Sequence, residues 1–231
     1  MKLKHITFTG IDAKTDLNLL EEIQKNYPIA EFGVLVSKKW RENGNRYFNP
    51  SYLPALKNRS LNLSAHLCGR IVRDAVIGNM ESFKNWLNGN DSIFNRCQLN
   101  VSTMKNSPDE FIYCGEITKF FNEVILQQKS AERCKLFINS PKDYHVTTLL
   151  DASGGHGIDT EIVPLSIDHK VGYAGGITPD NVGEKLSFLM ENNDVKDFWI
   201  DMESGVRTDD WFDVDKVIKV LETCDSIINK K

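Results

Sequence analysis

The last third of the chain contains, in order, LLDASGGHG (residues 149–157), GYAGGITPDNV (residues 172–182) and WIDMESGVRT (residues 199–208). In each segment a short apolar run, typical of a buried strand, passes directly into glycines and polar residues. Glycine at the end of a strand lets the backbone turn sharply and approach a ligand closely. The three segments therefore indicate strands whose carboxyl ends carry the chemistry of the protein.

The same alternation of short apolar runs and amphipathic stretches continues back to the start of the chain. The predicted strands are Ile6–Ile11, Glu31–Ser37, Leu61–Cys68, Cys97–Val101, Lys135–Asn139, Thr147–Asp151, Gly172–Ala174 and Asp197–Asp201. Helices are predicted over Asp16–Lys25, with Thr15 as N-cap, and over Pro50–Asn58, Met80–Leu87, Glu116–Gln127, Asn181–Met190 and Asp213–Asn229. Strands that alternate with helices favour parallel βα units. Eight such units in 231 residues predict one domain over residues 1–231, a (β/α)8 TIM barrel.

One predicted unit is irregular. Only seven residues separate the predicted fifth and sixth strands, which is too short for a crossover helix. The sequence therefore predicts either that helix 5 is reduced or missing, or that one of the strand assignments is wrong.

Composition excludes several classes of protein. Hydrophobic residues make up 41% of the chain and charged residues 26%, so a sizeable core is expected. A net charge of -4 argues against a general nucleic-acid or membrane-surface binder. No apolar run approaches the roughly 18 residues of a membrane span. The start of the chain also lacks the pattern of a signal peptide, so we expect a cytoplasmic location.

The cysteines are odd in number and widely scattered. They are Cys68, Cys97, Cys114, Cys134 and Cys224. No CxxC pair or Cys/His cluster with zinc-like spacing occurs, so we expect free thiols, no disulfide framework, no metal and no cofactor.

Two glycine-containing turns follow the predicted seventh and eighth strands, AGGI and ESGV. In a (β/α)8 barrel the active site lies at the carboxyl ends of the strands, and a phosphate site is commonly built after strands seven and eight. Two such turns beside helix starts offer backbone amides to an anion. A single glycine pair more often merely ends a strand, and it is the combination of segments that favours a phosphate site.

The three segments resemble, in order and spacing, the last strand–loop segments of the phosphoribosylanthranilate isomerase family. That family shows an LLDS strand end with a GGTG loop, an AGGL-TPENV segment and a VDVSSGVE segment. GNRYFNPS (residues 44–51) resembles its SPRYVSPE stretch, and CQLN (residues 97–100) resembles its VQLHG strand. The similarity is strong over about Leu149–Thr208 and weak elsewhere.

The resemblance implies roles for particular residues. The implied ligands are Arg46, Gly154 and Gly155 for the substrate, and the backbone amides of Gly175, Gly176, Ser204 and Gly205 for its phosphate. Arg46 would bind a carboxylate on the aromatic ring, and Asp151 would be the general acid that protonates the ribose ring oxygen as the furanose opens. From the sequence alone, Arg46 is equally well a solvated loop arginine. For Asp151 the surrounding motif favours the catalytic role over a helix cap or a partner for an arginine.

The chain departs from the family at the catalytic base. The family's first strand ends in KICG, whose cysteine removes the proton, whereas this chain has Thr9, and a hydroxyl is a poor base at neutral pH. Cys68 is the first candidate to replace it, provided that His66 or Arg70 lowers the pKa of its thiol; otherwise it is an ordinary buried thiol. Other candidates in the same loops are Asp12, His156 and Glu203.

The sequence therefore predicts a phosphoribosylanthranilate isomerase-like enzyme that acts on a phosphorylated sugar or a related small molecule. Two alternatives stay open: a different lyase or epimerase reaction on the same scaffold, and a non-catalytic barrel that binds a phosphorylated metabolite. A barrel fold by itself does not choose between them. The sequence does not indicate the substrate or the oligomeric state.

Overall fold

Eight parallel strands close into a barrel in which each strand pairs with the next along the chain and the last pairs with the first. The computed structural model describes residues 2–39, 45–89, 93–100, 117–138, 145–153, 158–165, 170–192 and 197–229. The strands are β1 Lys2–Thr9, β2 Ala30–Val36, β3 Leu63–Leu67, β4 Arg96–Leu99, β5 Glu123–Gln128, β6 Val146–Asp151, β7 Val171–Ala174 and β8 Asp197–Met202. This architecture confirms the predicted (β/α)8 barrel.

Helices connect most of these strands. The α-helices of the described residues are α1 Leu17–Asn26, α2 Leu53–Lys57, α3 Gly69–Val76, α4 Glu81–Leu87, α5 Ala131–Ile138, α6 Val182–Asn192 and α7 Val214–Ile228. Helix α1 begins one residue later than expected, because Asp16 rather than Thr15 accepts the hydrogen bonds of the first-turn amides. Helix α3 has no counterpart in the sequence-based assignment. No helix in the described ranges is long and apolar enough to cross a membrane.

The fifth unit differs from the sequence-based assignment. The predicted strand Lys135–Asn139 is wrong, because residues 135–138 belong to α5, and the predicted helix Glu116–Gln127 runs into β5. Short apolar runs fit a strand and a helix equally well, so periodicity could not separate them here. The helix of this unit is present but short, at eight residues.

Inward-facing side chains alternate along each strand, and near the middle of the barrel they form an apolar layer. Trp199, Ile125 and Leu149 pack together there, with Ala174 against them. Gly172 leaves the space that the indole needs, because a Cβ at this position would clash with the ring of Trp199. The layer separates the amino end of the barrel from the carboxyl end.

The amino end of the barrel is filled by buried charges. Arg96 donates to Glu31 at 2.8 Å and to Glu123 at 3.1 Å, and Lys170 lies 2.6 Å from Glu123. The Arg96 guanidinium also lies over the ring of Trp199, at 4.6 Å from its centroid. Burial alone would raise the pKa of Glu123, but Arg96 and Lys170 outweigh it and lower that pKa to about 2. Each charge in this cluster thus depends on its partners.

A small hairpin follows β8. Its strands are β9 Arg207–Thr208 and β10 Trp211–Phe212, which pair in antiparallel fashion. The two residues between them, Asp209 and Asp210, have φ of 51° and 60°. Two consecutive left-handed residues are typical of the turns that match the twist of a tight hairpin, and aspartate tolerates that conformation better than most residues. The turn places Asp210 at the rim of the carboxyl end.

Candidate active site

A cavity of about 210 Å³ opens among the carboxyl ends of the strands. The sequence-predicted site residues that line it are Thr9, Arg46, Cys68, Asp151, Gly175, Gly176, Glu203, Ser204 and Gly205. The structure therefore brings these nine residues into one place. Gly154 and Gly155, the other predicted substrate residues, and His156 lie outside the described residues.

The two glycine turns meet at one wall of the cavity. Gly175 and Gly176 have φ of 115° and 58°, a region that favours glycine. A Cβ on Gly205 would clash with the carbonyl oxygen of Ile177, so only glycine lets the two loops approach so closely. In the described part of the chain, the amides of Gly175, Gly176, Ser204 and Gly205 have no hydrogen-bond acceptor. Backbone N–H groups on one concave wall of this kind suit an anion.

Asn181 fixes the first of these turns against the start of α6. Its side-chain oxygen accepts a hydrogen bond from the Thr178 amide at 2.8 Å, and its side-chain amide donates to the Gly176 carbonyl at 2.8 Å. The asparagine of the ITPDNV segment thereby sets the backbone conformation on which the exposed amides depend.

Asp151, at the end of β6, is held as an acceptor. Its Oδ2 accepts a hydrogen bond from Gln127 Nε2 at 2.7 Å, and its Oδ1 accepts from the amide of Ser153 at 3.1 Å and from its hydroxyl at 2.6 Å. The residue is buried in the barrel mouth. Gln127, which the sequence reasoning missed, orients this carboxylate from the neighbouring strand β5.

Thr9 is paired with a carboxyl group that the sequence reasoning also missed. Its hydroxyl donates to Asp201 Oδ1 at 2.8 Å, across the junction of β1 and β8, and both side chains are buried. Burial raises the pKa of Asp201 from 3.8 to about 8, and the hydrogen bond from Thr9 opposes this only in part. Gly33 leaves room for the Thr9 hydroxyl, since a Cβ there would lie 2.6 Å from Oγ1. The cavity thus contains a carboxyl group that titrates near neutral pH.

Cys68 does not meet the condition under which it could act as the base. Burial raises the pKa of its thiol to about 12. Burial also lowers the pKa of His66 to about 4, so that His66 is neutral and cannot stabilise a thiolate. The side chain of Arg70 is 74% exposed and faces Asp74 in its own helix. Neither His66 nor Arg70 lowers the pKa of the thiol, so the alternative of an ordinary buried thiol fits Cys68 better.

We expect Cys68 to react slowly with iodoacetamide at pH 7.5, at least about 100-fold more slowly than a free cysteine, because the thiolate is the nucleophile. Peptide mass spectrometry after timed alkylation measures the rate at this position. The same chain unfolded in urea is the control and should react at the ordinary rate. Rapid alkylation of folded Cys68 would contradict the raised pKa.

Arg46 is already engaged by two carboxylates of the chain. Its Nε and Nη2 donate to Asp210 Oδ1 at 3.1 Å and 2.6 Å, and its Nη1 donates to Glu203 Oε1 at 2.9 Å. All three side chains are partly exposed at the rim. The guanidinium lies in the cavity wall as the resemblance implies, but its charge is balanced before any ligand binds.

Asp12, a candidate base in the sequence, instead connects two loops. Its Oδ2 accepts hydrogen bonds from Arg207 Nη2 at 3.0 Å and from the Phe212 amide at 2.7 Å. Arg207 Nη1 also donates to the Gly10 carbonyl at 2.6 Å. The pair ties the loop after β1 to the hairpin after β8, and Asp12 does not line the cavity.

The described residues contain no group of three or more His, Cys, Asp or Glu side chains that could hold a metal ion. The four cysteines within the described ranges are free thiols. Cys114 lies outside those ranges.

The closed barrel, with acidic side chains and two glycine turns around a cavity at its carboxyl end, defines a (β/α)8-barrel protein with a candidate ligand site at the strand ends. Within that class, residues 117–223 match the family model of N-(5'-phosphoribosyl)anthranilate isomerase. This match confirms, over that stretch of the chain, the resemblance that the three sequence segments indicate.

The fold is similar to that of N-(5'-phosphoribosyl)anthranilate isomerase from Pyrococcus furiosus. The match has a TM-score of 0.56 and 15% sequence identity, and it covers 96% of this chain and 98% of the other protein. At this identity the likeness shows the shared barrel fold alone. No curated protein sequence matches the chain.

Proposed function

We propose that this protein is an isomerase that acts, without a cofactor, on a phosphorylated sugar or a related small molecule. One observation carries the proposal: a single cavity combines the buried carboxyl groups of Asp151 and Asp201 with a wall of backbone amides that have no acceptor among the described residues. The amides suit a phosphate, and the carboxyl groups suit proton transfer to and from the sugar.

The phosphate would bind between the turns at Gly175–Gly176 and Ser204–Gly205. Backbone amides bind an anion without any side-chain rearrangement, so a rigid wall of them has a low entropic cost. Gly205 permits the loops after β7 and β8 to lie close together. Amides from both loops could therefore donate to the oxygens of one phosphate group. The phosphate would thereby fix the position of the sugar relative to the carboxyl groups.

Proton transfer would then proceed in two steps. For a substrate that carries an amine on C1′, Asp151 as general acid protonates the ring oxygen; the C1′–O4′ bond breaks, the nitrogen lone pair forms the C1′=N bond, and an open-chain Schiff base results. A base next removes the C2′ proton, its bond electrons form the enolamine, and the enolamine tautomerises to the ketone. No atom is gained or lost, so the reaction requires no oxidant, reductant or second substrate.

We assign the second step to Asp201, with Thr9 as the residue that positions it. Threonine cannot itself act as the base, but its hydroxyl holds one oxygen of Asp201 at 2.8 Å at the cavity surface. A group that titrates near the operating pH is the most effective general base, and burial raises the pKa of Asp201 to about 8. A carboxylate would thus replace the thiolate of the resembling family.

The phosphate site can be tested by titrating the 15N-labelled protein with inorganic phosphate and ribose 5-phosphate. We expect the amide signals of Gly175, Gly176, Ser204 and Gly205 to shift most. Gly176→Val should weaken binding at least about tenfold, or ~1.4 kcal/mol, because a side chain at φ 58° forces the turn to move.

Gly89→Val is the matched control. Gly89 has φ of 80°, and a Cβ there meets no atom within 4 Å, so this variant carries the backbone strain without disturbing the cavity. It should bind phosphate as the wild type does. Unchanged affinity in Gly176→Val, or amide shifts away from the two turns, would contradict the phosphate site.

A non-catalytic phosphometabolite-binding barrel is the second candidate. The raised pKa of the Cys68 thiol and the presence of Thr9 favour it, because neither residue supplies the base of the resembling family. Turnover decides between the two candidates. Tight binding of phosphorylated sugars with no isomerisation of any of them, at pH values up to 9, would establish the binding protein.

A further inference from the structure

We propose that Glu203 sets the ligand specificity of the cavity by occupying the arginine that a ligand carboxylate would otherwise bind. The site then selects a phosphorylated ligand whose other end is uncharged or cationic and donates hydrogen bonds. This inference rests on the proposed function and specifies its substrate class.

The charge distribution of the cavity is the first support. Among the described residues that line it, Arg46 is the only lysine or arginine, whereas Asp151, Asp201 and Glu203 are acidic. Arg46 itself contacts Glu203 at 2.9 Å and Asp210 at 2.6 Å. Away from the backbone amides, the described lining residues therefore leave no lysine or arginine without a carboxylate partner for a second anionic group of the ligand.

Displacement of Glu203 by a ligand carboxylate is unfavourable. If a ligand carboxylate took its place on Arg46, the carboxylate of Glu203 would remain beside it, partly buried and without its partner. Burial already raises the pKa of Glu203, although Arg46 and Arg207 oppose this. Two carboxylates at one guanidinium, with a third from Asp210, repel each other, because a single cation cannot balance three anions.

A ligand that carries hydrogen-bond donors at this end fits the acidic side chains of the cavity. Carboxylate oxygens of Glu203 and Asp151 are acceptors, and an amine or hydroxyl group of the ligand satisfies them without breaking the contact to Arg46. The resembling family has VDVSSGVE where this chain has IDMESGVR, so the acidic side chain is a feature of this chain. The substrate would therefore differ from that of the family at the end remote from the phosphate.

A matched pair of stable ligands tests this inference. The two probes are 1-deoxy-1-phenylaminoribitol 5-phosphate and its 2-carboxyphenyl counterpart, which differ by one carboxylate. Isothermal titration calorimetry should show that the wild type binds the phenyl compound at least about tenfold more tightly, since like charges in an interface oppose binding. Glu203→Gln and Glu203→Ser should tighten the carboxyphenyl compound by about tenfold, and they should not tighten the phenyl compound, which has no carboxylate to place on Arg46.

Glu222→Gln is the control for the change in net charge, because Glu222 is exposed on α7 away from the cavity. It should leave both affinities unchanged. Equal or tighter binding of the carboxyphenyl compound by the wild type, or no change of preference in the Glu203 variants, would overturn the inference while the phosphate site stands. If neither compound binds and inorganic phosphate does not bind either, the inference and the proposed function both fail.

Discussion

Replacement of Asp201 by asparagine is expected to stabilise the folded barrel at neutral pH and to remove its proton-transfer activity. The pKa of Asp201 is about 8 in the folded state and 3.8 in the unfolded state. The stability that protonated Asp201 contributes is therefore fully present below pH 3.8 and is lost as the pH rises through 8. Each pKa unit corresponds to about 1.4 kcal/mol, so at pH 7 Asp201→Asn should be more stable than the wild type by up to about 4 kcal/mol. Asparagine keeps an acceptor for Thr9 and carries no charge.

Urea unfolding of the wild type and of Asp201→Asn between pH 5 and pH 9 measures this effect. The stability gap should widen as pH rises and level off above about pH 8. In the same variant, turnover of any substrate of the cavity should fall by about 10²–10⁴-fold, the usual contribution of a general base. Asp225→Asn, an exposed change of the same kind on α7, should alter neither quantity. A less stable or fully active Asp201→Asn would rule out the assignment.

The same ionisation fixes the pH dependence of turnover. Because the base must be deprotonated, the rate should rise about tenfold per pH unit below the pKa of Asp201 and level off near pH 8. Thr9→Val removes the hydrogen bond that favours the ionised form, so the midpoint should move to higher pH. An unmoved midpoint would show that Thr9 has only a structural role.

Arg96→Met should destabilise the barrel by about 3–5 kcal/mol, the usual cost of leaving a buried charge without its partner. Arg96 and Glu31 are both almost inaccessible to solvent, and Glu123 would lose its contact at 3.1 Å. Urea unfolding at pH 7 measures the change. Lys219→Met, which breaks the exposed ion pair with Asp180, is the control and should have no measurable effect.

Acid should reduce the effect of Arg96→Met. The folded-state pKa of Glu123 is lowered from 4.5 to about 2, so its contribution is present above pH 4.5 and is lost as pH falls towards 2. In the variant Glu123 keeps Lys170 and Thr147 but loses the part of that contribution that Arg96 supplies, so the difference from the wild type should shrink below pH 4.5. A difference that is small at pH 7, or independent of pH, would contradict the role of the charge cluster.

The sequence predicted the barrel and the glycine turns because both depend on local patterns. A strand that ends in AGGI or in ESGV carries its conformational requirement in its own residues. The fifth unit was misassigned because KLFIN and the run before β5 are too short for periodicity to distinguish helix from strand. The failure there concerned the assignment of one unit and left the count of eight strands correct.

The electrostatics of the site could not be predicted, because they arise from contacts between distant parts of the chain. The partners of Arg46 are Glu203 and Asp210, more than 150 positions along the chain. The pKa of the Cys68 thiol depends on burial, which a sequence motif does not encode. Asp201 lies within the WIDMESGVRT segment that the sequence analysis singles out, but only the fold shows that Thr9 contacts it.

The proposed base is positioned only when the barrel closes, because closure pairs β1 with β8. Thr9 and Asp201 come from opposite sides of that seam, so they cannot meet while the chain is still emerging from the ribosome and its last strand is missing. Until then the sheet has two open edges, which are prone to pair with other chains. A ligand that contacts both β1 and β8 would therefore also stabilise the closed barrel, since it binds the closed barrel and not the open sheet. The barrel closes and the proposed active site forms in the same step of folding.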